Sequence, residues 1–157
     1  MDQTDSSLLV RDAVAGDDAA VARLLAAQLD VHGVAADVPA ILGVLASLRE
    51  QGDRTQLLLA LRDGLIAGVL FANRFVSFER PGRGWFIEEL FVAPEFRRRG
   101  VARALIGALH SRAAAEGCSL LALQLQAGHD EAAALYRGLG FTTLDRRALE
   151  LPLSGAL

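Results

Sequence analysis

The segment from Ile87 to Leu105 (Ile-Glu-Glu-Leu-Phe-Val-Ala-Pro-Glu-Phe-Arg-Arg-Arg-Gly-Val-Ala-Arg-Ala-Leu) narrows the possible folds more than any other part of the chain. A mostly apolar run from Trp85 reads as a strand up to Val92, and Pro94 stops it because proline brings no N–H to a ladder. Arg97, Arg98 and Arg99 then lead to Gly100. From Val101 to Glu116 the residues Leu105, Leu109 and Ala113 recur at helical spacing, and Gly117 is a natural residue to end such a helix. A strand, a basic glycine loop and a helix start, in that order, form a candidate anion site. The first amides of a helix have no intrahelical acceptor and lie at the positive end of its dipole. Gly100 allows close backbone approach, and Ala102 keeps the next position small. The competing reading is a solvated, charged helix start, and the residues alone leave the two open.

The rest of the chain supplies elements around this segment. Leu8 to Arg11 reads as a short strand, and Asp18 to Asp30 as an amphipathic helix carrying Val21, Leu24, Leu25 and Leu29. Val31 to Pro39 is a loop, and Ile41, Leu42, Leu45 and Leu48 mark a second helix ending near Gly52. Thr55 to Leu61 and Leu65 to Ser77 are strands joined by an Asp63-Gly64 hairpin signal. Leu120 to Gln126 alternates as a strand, Asp130 to Leu139 is a short helix ended by Gly140, and Phe141 to Thr143 and Ala148 to Leu153 read as closing strands. The order is one of a mixed α/β domain with no internal repeat and no linker.

Composition bounds the function. With 157 residues and 52% hydrophobic content the chain can bury one sizeable core. A net charge of −3 argues against nucleic acid or an anionic membrane as the main partner. All 16 basic residues are arginine, and the chain has no lysine. The single cysteine, Cys118, excludes an intramolecular disulfide and reads as a small buried apolar residue. The longest apolar stretch, Leu57 to Phe71, is interrupted by Arg62, Asp63 and Gly64, so no membrane span is expected. Met1 to Ser7 is acidic and polar, unlike a signal peptide. The expectation is a cytoplasmic protein of one domain over 1–157, with 1–7 flexible.

Arg97-x-x-Gly100-x-Ala102 resembles the coenzyme A signature of the GNAT superfamily of N-acetyltransferases. Glu88 to Pro94 is similar to the strand that precedes it. Ala132-x-x-Leu135-Tyr136-Arg137-x-Leu139-Gly140-Phe141 resembles the second signature of that family, in the expected order. The resemblance covers the chain from Leu8 onward. It implies an α/β fold (an α+β mixed sheet) in a single GNAT-like domain. The central sheet would be twisted, mostly antiparallel, splayed between two strands and flanked by helices. It further implies that the strand of Leu90, Phe91 and Val92 diverges from that of Leu121 to Leu125, commonly with a β-bulge. Pantetheine would pair with the backbone of Leu90 to Val92. The pyrophosphate would lie on the amides of Arg98 to Ala102, within a coenzyme loop of Arg97, Arg98, Arg99, Gly100, Val101, Ala102 and Arg103. An N–H near Phe91 or Val92 would stabilise the oxyanion. Tyr136 matches the tyrosine that protonates the departing thiolate. Where family members often carry Asn, this chain has His129. Its two ring nitrogens can also accept and donate, so it is included among the coenzyme contacts, with an acceptor contact or a purely local role left open.

The amine needs an acidic partner. Adjacent strand residues point to opposite faces, so Glu88 and Glu89 share a face only if a bulge intervenes. Similarity to the matching strand of diamine acetyltransferases places the functional glutamate at Glu88. An alkylamine titrates near ~10.4 and a glutamate near ~4.3, so direct transfer is uphill by roughly 8 kcal/mol unless burial shifts one of them or a water chain carries the proton out, with Glu88 then chiefly binding and orienting the ammonium. A tyrosine near ~10 facing a thiol near ~8.5 leaves a mismatch of about 2 kcal/mol. The acceptor is expected among His32, Asp37, Phe78, Glu79, Trp85 and Asp145. The leading function is an acetyl-CoA-dependent N-acetyltransferase acting on a small primary amine in a ternary complex. Acetyl-CoA would be the co-substrate, with no metal; a homodimer is compatible with the resemblance. The alternatives are a non-catalytic acyl-CoA-binding sensor, or an acyltransferase with a different acyl-CoA or a protein amine as acceptor.

Overall fold

The computed structural model describes residues 7–153; residues 1–6, most of the stretch expected to be flexible, lie outside the described residues. Strand β1 (Leu8–Asp12) leads into α1 (Asp18–Val31). Asp17 occupies the N-cap position of α1 but does not cap it with its side chain; the carboxylate accepts from Val14 N and from both terminal nitrogens of Arg11 at 2.7 and 3.0 Å. Helix α2 (Val38–Leu48) starts earlier than the periodicity indicates. Asp37 caps it by accepting from Ala40 N at 3.0 Å, and Pro39 fits the first turn, where an N–H is not needed.

Strands β2 (Thr55–Arg62) and β3 (Leu65–Ser77) form the expected hairpin, with Asp63 and Gly64 both at positive φ in the turn. Strand β4 (Gly82–Val92) begins three residues before Trp85 because β3 is long enough to pair with all of it. Helix α3 (Val101–Ala115) crosses over to β5 (Leu120–Leu123), and α4 (Asp130–Gly138) follows. The sheet order is β1-β2-β3-β4-β5, antiparallel throughout except for the parallel β4–β5 pair.

The core lies on both faces of β2–β4. On one face Val21, Ala22 and Leu45 of α1 and α2 pack with Leu59, Val69 and Phe91. On the other, Gly68 brings β3 so close to α3 that a Cβ there would lie 2.9 Å from Phe91 O and 3.0 Å from Val101 Cγ1. Residues 7–124 and 125–153 belong to separate compact units, divided between Gln124 and Leu125.

Three expectations are corrected. Strand β5 ends at Leu123, short of Gln126. Residues 141–143 and 148–153 form no strands: Leu149, Leu151 and Leu153 are 97, 80 and 74% exposed, and no neighbouring strand bonds them. Trp85 is not available to an acceptor. It is 1% exposed, donates Nε1–H to Glu116 at 3.2 Å, and lies under the Arg74 guanidinium. Among the described residues no helix is long and apolar enough to cross a membrane.

Candidate active site

The site begins with a change of register in β4. Phe71 of β3 faces Glu89, but the next residue, Ala72, faces Ile87, which leaves Glu88 as the extra residue of a β-bulge. The bulge inverts the alternation of the strand. Trp85 and Ile87 are buried, and Trp85 reaches Glu116 just beyond the end of α3; past the bulge, Phe91 joins the core against α1 and α2. Glu88 and Glu89 therefore line the same cavity, although adjacent residues of a regular strand would be split between faces. Pairing of β4 with β5 stops at Ile87–Leu123, immediately before the bulge. Leu90, Phe91 and Val92 remain bonded to Leu70, Val69 and Gly68 of β3, and β5 contributes no partner to them. The pairing stops there because β5 itself ends at Leu123.

The cavity has a volume of about 460 Å³, within the range of small-molecule sites. Leu25, Gln28, Leu29, Ile41, Leu45, Leu57 and Phe71 are among the residues around the two glutamates. The glutamates are not equivalent. Glu88 is exposed and accepts from Asn73 Nδ2 at 3.2 Å. Glu89 is half-buried, and burial raises its carboxyl pKa, against the opposing pull of a Gln28 hydrogen bond and of His32, with the charge of Glu88 adding to the rise. Gln28 is only 8% exposed and lines the same cavity, and its Oε1 is buried with no hydrogen-bond partner. An unmet carbonyl of this kind costs about 1–3 kcal/mol. The sequence reading missed Gln28, although a signal was present. It falls within the apolar stripe of Val21, Leu24, Leu25 and Leu29, where helical spacing calls for another apolar residue.

The basic loop has the geometry of an anion cradle. Arg98 and Gly100 both have positive φ, at 62° and 80°, and Gly100 is the N-cap of α3. A Cβ built on Gly100 meets nothing within 4 Å, so the ground over this turn is open to a ligand. The amides of Val101, Ala102 and Arg103 begin the helix, where no intrahelical acceptor reaches them. Arg97 turns back onto the end of β4. Its Nε donates to Val92 O at 3.1 Å and its guanidinium lies 5.6 Å from the Phe91 ring, which ties the loop to the end of β4. Arg62 fixes the other side by donating to Arg99 O at 3.1 Å.

Tyr136 and His129 belong to the second unit. His129 is the N-cap residue of α4, its carbonyl accepting from Ala133 N at 3.0 Å. The C-terminus of α4 closes with Gly140 N bonded to Arg137 O and Phe141 N to Tyr136 O, with Gly140 at φ 93°. That turn sets Phe141 edge-on to the Tyr136 ring at 5.4 Å. Burial pushes the Tyr136 hydroxyl up to about 12. Cys118 is half-buried, and burial together with Glu116 raises its thiol, which is unsuited to nucleophilic work. Among the described residues no cluster of metal-ligating side chains is present.

The site combines a bulged strand, with two carboxyls lining one cavity, and a basic turn of positive φ that leads into a helix start. The profile of the acetyltransferase (GNAT) family matches residues 26–141, and the chain belongs to that family of N-acetyltransferases. Among curated relatives it is similar to the aminoglycoside N(6')-acetyltransferase type 1 of Salmonella typhimurium, with 29% identity over 99 residues, 61% of this chain and 68% of that protein. Its fold is similar to a probable acetyltransferase (TM-score 0.81, 20% identity, 94% of this chain and 99% of the other). It is also similar to an aminoglycoside acetyltransferase from an uncultured soil metagenomic sample (TM-score 0.76, 28% identity, 94% and 99%). A third similar structure is the aminoglycoside N-acetyltransferase AAC(6')-Iy in complex with CoA (TM-score 0.80, 24% identity, 97% and 99%).

Proposed function

We propose that the protein transfers the acetyl group of acetyl-CoA to the primary amine of a small acceptor, by direct attack in a ternary complex. The observation that carries this reading is the bulge at Glu88, which gathers two carboxyls into one cavity where the β4–β5 pairing ends. The donor pyrophosphate is assigned to the amides of Arg98 to Ala102, with Arg97 and Arg103 completing the loop. Pantetheine is assigned to the free edge of Leu90 to Val92 and to His129.

In the reaction the amine nitrogen attacks the thioester carbonyl carbon. A C–N bond forms and the C–S bond breaks; the nitrogen, held as an ammonium, sheds two protons, one to Glu89 before it attacks and one after, which replaces the proton that Tyr136 gives to the thiolate. Glu88, exposed at the cavity, holds the incoming ammonium. Glu89 takes the first proton, because its raised pKa narrows the roughly 8 kcal/mol gap that separates an ordinary glutamate from an alkylamine. Tyr136 faces a different balance. With its hydroxyl at about 12 and a thiol near ~8.5, full transfer is uphill by about 3.5 units, or roughly 5 kcal/mol. Tyr136 therefore acts first as a hydrogen-bond donor to the sulfur as it gains charge, with the proton passing as the thiol leaves. Holding both substrates in place contributes much of the rate.

The test is release of CoA thiol from acetyl-CoA in the presence of a panel of amines. Turnover that depends on an amine, and a kcat for Tyr136→Phe reduced about tenfold or more at unchanged acetyl-CoA affinity, is the expected result. Binding of acetyl-CoA without turnover of any amine would refute the reading.

A further inference from the structure

Four polar residues line the acceptor cavity: Gln28, Asp37, Glu88 and Glu89; every other lining residue is apolar. Asp37 caps α2 through Oδ1. Glu88 and Glu89 are adjacent at the bulge, and Gln28 lines the cavity with them. Gln28 is more than nine-tenths buried, and its carbonyl oxygen has no hydrogen-bond partner. A buried acceptor in a cavity wall, beside two carboxyls, is complementary to a group with several N–H donors.

We propose that the acceptor is a primary amine carried on an apolar body, its nitrogen held jointly by Gln28 Oε1 and the carboxyls of Glu88 and Glu89. Three acceptors match the three N–H bonds of an ammonium. After the proton passes to Glu89, the neutral amine still has two N–H bonds for Gln28 and Glu88 and a lone pair for attack. The body of the substrate then rests on Leu25, Leu29, Ile41, Leu57 and Phe71. A polyhydroxylated aminosugar fits poorly, because its hydroxyls would be buried against side chains that cannot hydrogen-bond. The inference rests on the assignment of this cavity to the acceptor.

The experiment compares kcat/KM for phenethylamine and n-hexylamine with kanamycin and spermidine, using the full chain and acetyl-CoA. The apolar amines are expected to be preferred by about tenfold or more. Gln28→Leu should raise the KM for phenethylamine about tenfold and leave the KM for acetyl-CoA unchanged, as loss of a hydrogen bond to a charged group predicts. Gln28→Met, closer in length, provides a second variant, and circular dichroism checks that both fold. Preference for kanamycin or spermidine, no turnover of either apolar amine, or an unmoved phenethylamine KM in both folded variants would overturn the inference. If that happens while Glu88→Gln and Glu89→Gln still depress turnover of the preferred amine, the cavity remains the acceptor site. If the glutamate variants are also without effect, the assignment of the cavity fails as well.

Discussion

Strand β4 and the run from Ala148 to Leu153 carry similar instructions and end differently. Both read as strands in the sequence, β4 as a mostly apolar run broken by Glu88 and Glu89 and 148–153 as an alternation of leucines with other residues. In β4, Trp85, Ile87 and Phe91 are 1, 4 and 7% exposed, whereas Leu149, Leu151 and Leu153 are 97, 80 and 74% exposed. The difference is the neighbour. Strand β3 bonds β4 along its length, and helices cover both faces of the central strands. Among the described residues no strand pairs with 148–153, and Pro152 removes one donor. A period of two sets which side chains share a face; it does not supply a partner for the backbone or a surface to bury that face. The comparison teaches a second point. Where β4 departs from its own pattern, at Glu88, it gains the carboxyl pair that a regular strand could not present.

The sharpest way to break the comparison is at the bulge. Glu89→Gln should lower kcat by about 10²–10⁴-fold, the usual contribution of a general base, and Glu88→Gln by about tenfold. The reverse order in steady-state assays would exchange the two roles. The same substitution has a second consequence. A carboxyl whose folded pKa is raised favours the folded state below its ordinary value of 4.5, and that contribution is lost as pH rises through the higher folded value. Glu89→Gln should therefore melt no lower than the parent at pH 7, even as activity falls.

The next effect tests the covered part of the sheet. Gly68→Val would force side-chain atoms onto Phe91 O and Val101, and should cost about 3 kcal/mol in urea unfolding. An unchanged midpoint would show that α3 is not so close to β3. The Arg11–Asp17 pair gives a smaller effect. Asp17 is held down at about 2, chiefly by the Arg11 hydrogen bonds, so its contribution is present above its ordinary 3.8 and is lost as pH falls toward 2. Arg11→Ala should cost about 0.2–1 kcal/mol at pH 7 and progressively less below pH 4. The smallest effect belongs to the uncovered run. Leu151→Ser should change stability by less than about 0.5 kcal/mol, since the side chain has little burial to lose. A loss of about 2 kcal/mol would mean that this face is covered in solution.

Much of the fold was legible because local rules wrote it. The Asp63-Gly64 turn, the bounds of β3, the start of α3 at Gly100 and the stop of α4 at Gly140 all follow from residues that prefer or tolerate positive φ, or from helical and strand periods. The turn proposed to hold the coenzyme was legible for the same reason, since a glycine and a helix start lie within a few residues of each other. The proposed acceptor cavity was legible only in part. Both glutamates were visible, but which face each one takes depends on a register set by β3. Gln28 was hidden in a helix whose stripe otherwise reads as plain core.

The sequence by itself thus determined the order and kind of the elements from β1 to α4, the hairpin and helix-end turns, and the family. Each of these depends on contacts within a few residues or on short motifs. Only the tertiary structure decided that β4 bulges at Glu88, that Gln28 lines the same cavity as Glu89 with its carbonyl left unpaired, that Trp85 is interior, and that 148–153 stays unpaired. Those outcomes are settled by which strand lies alongside and what it can bond or bury, and no local stretch of sequence contains that information.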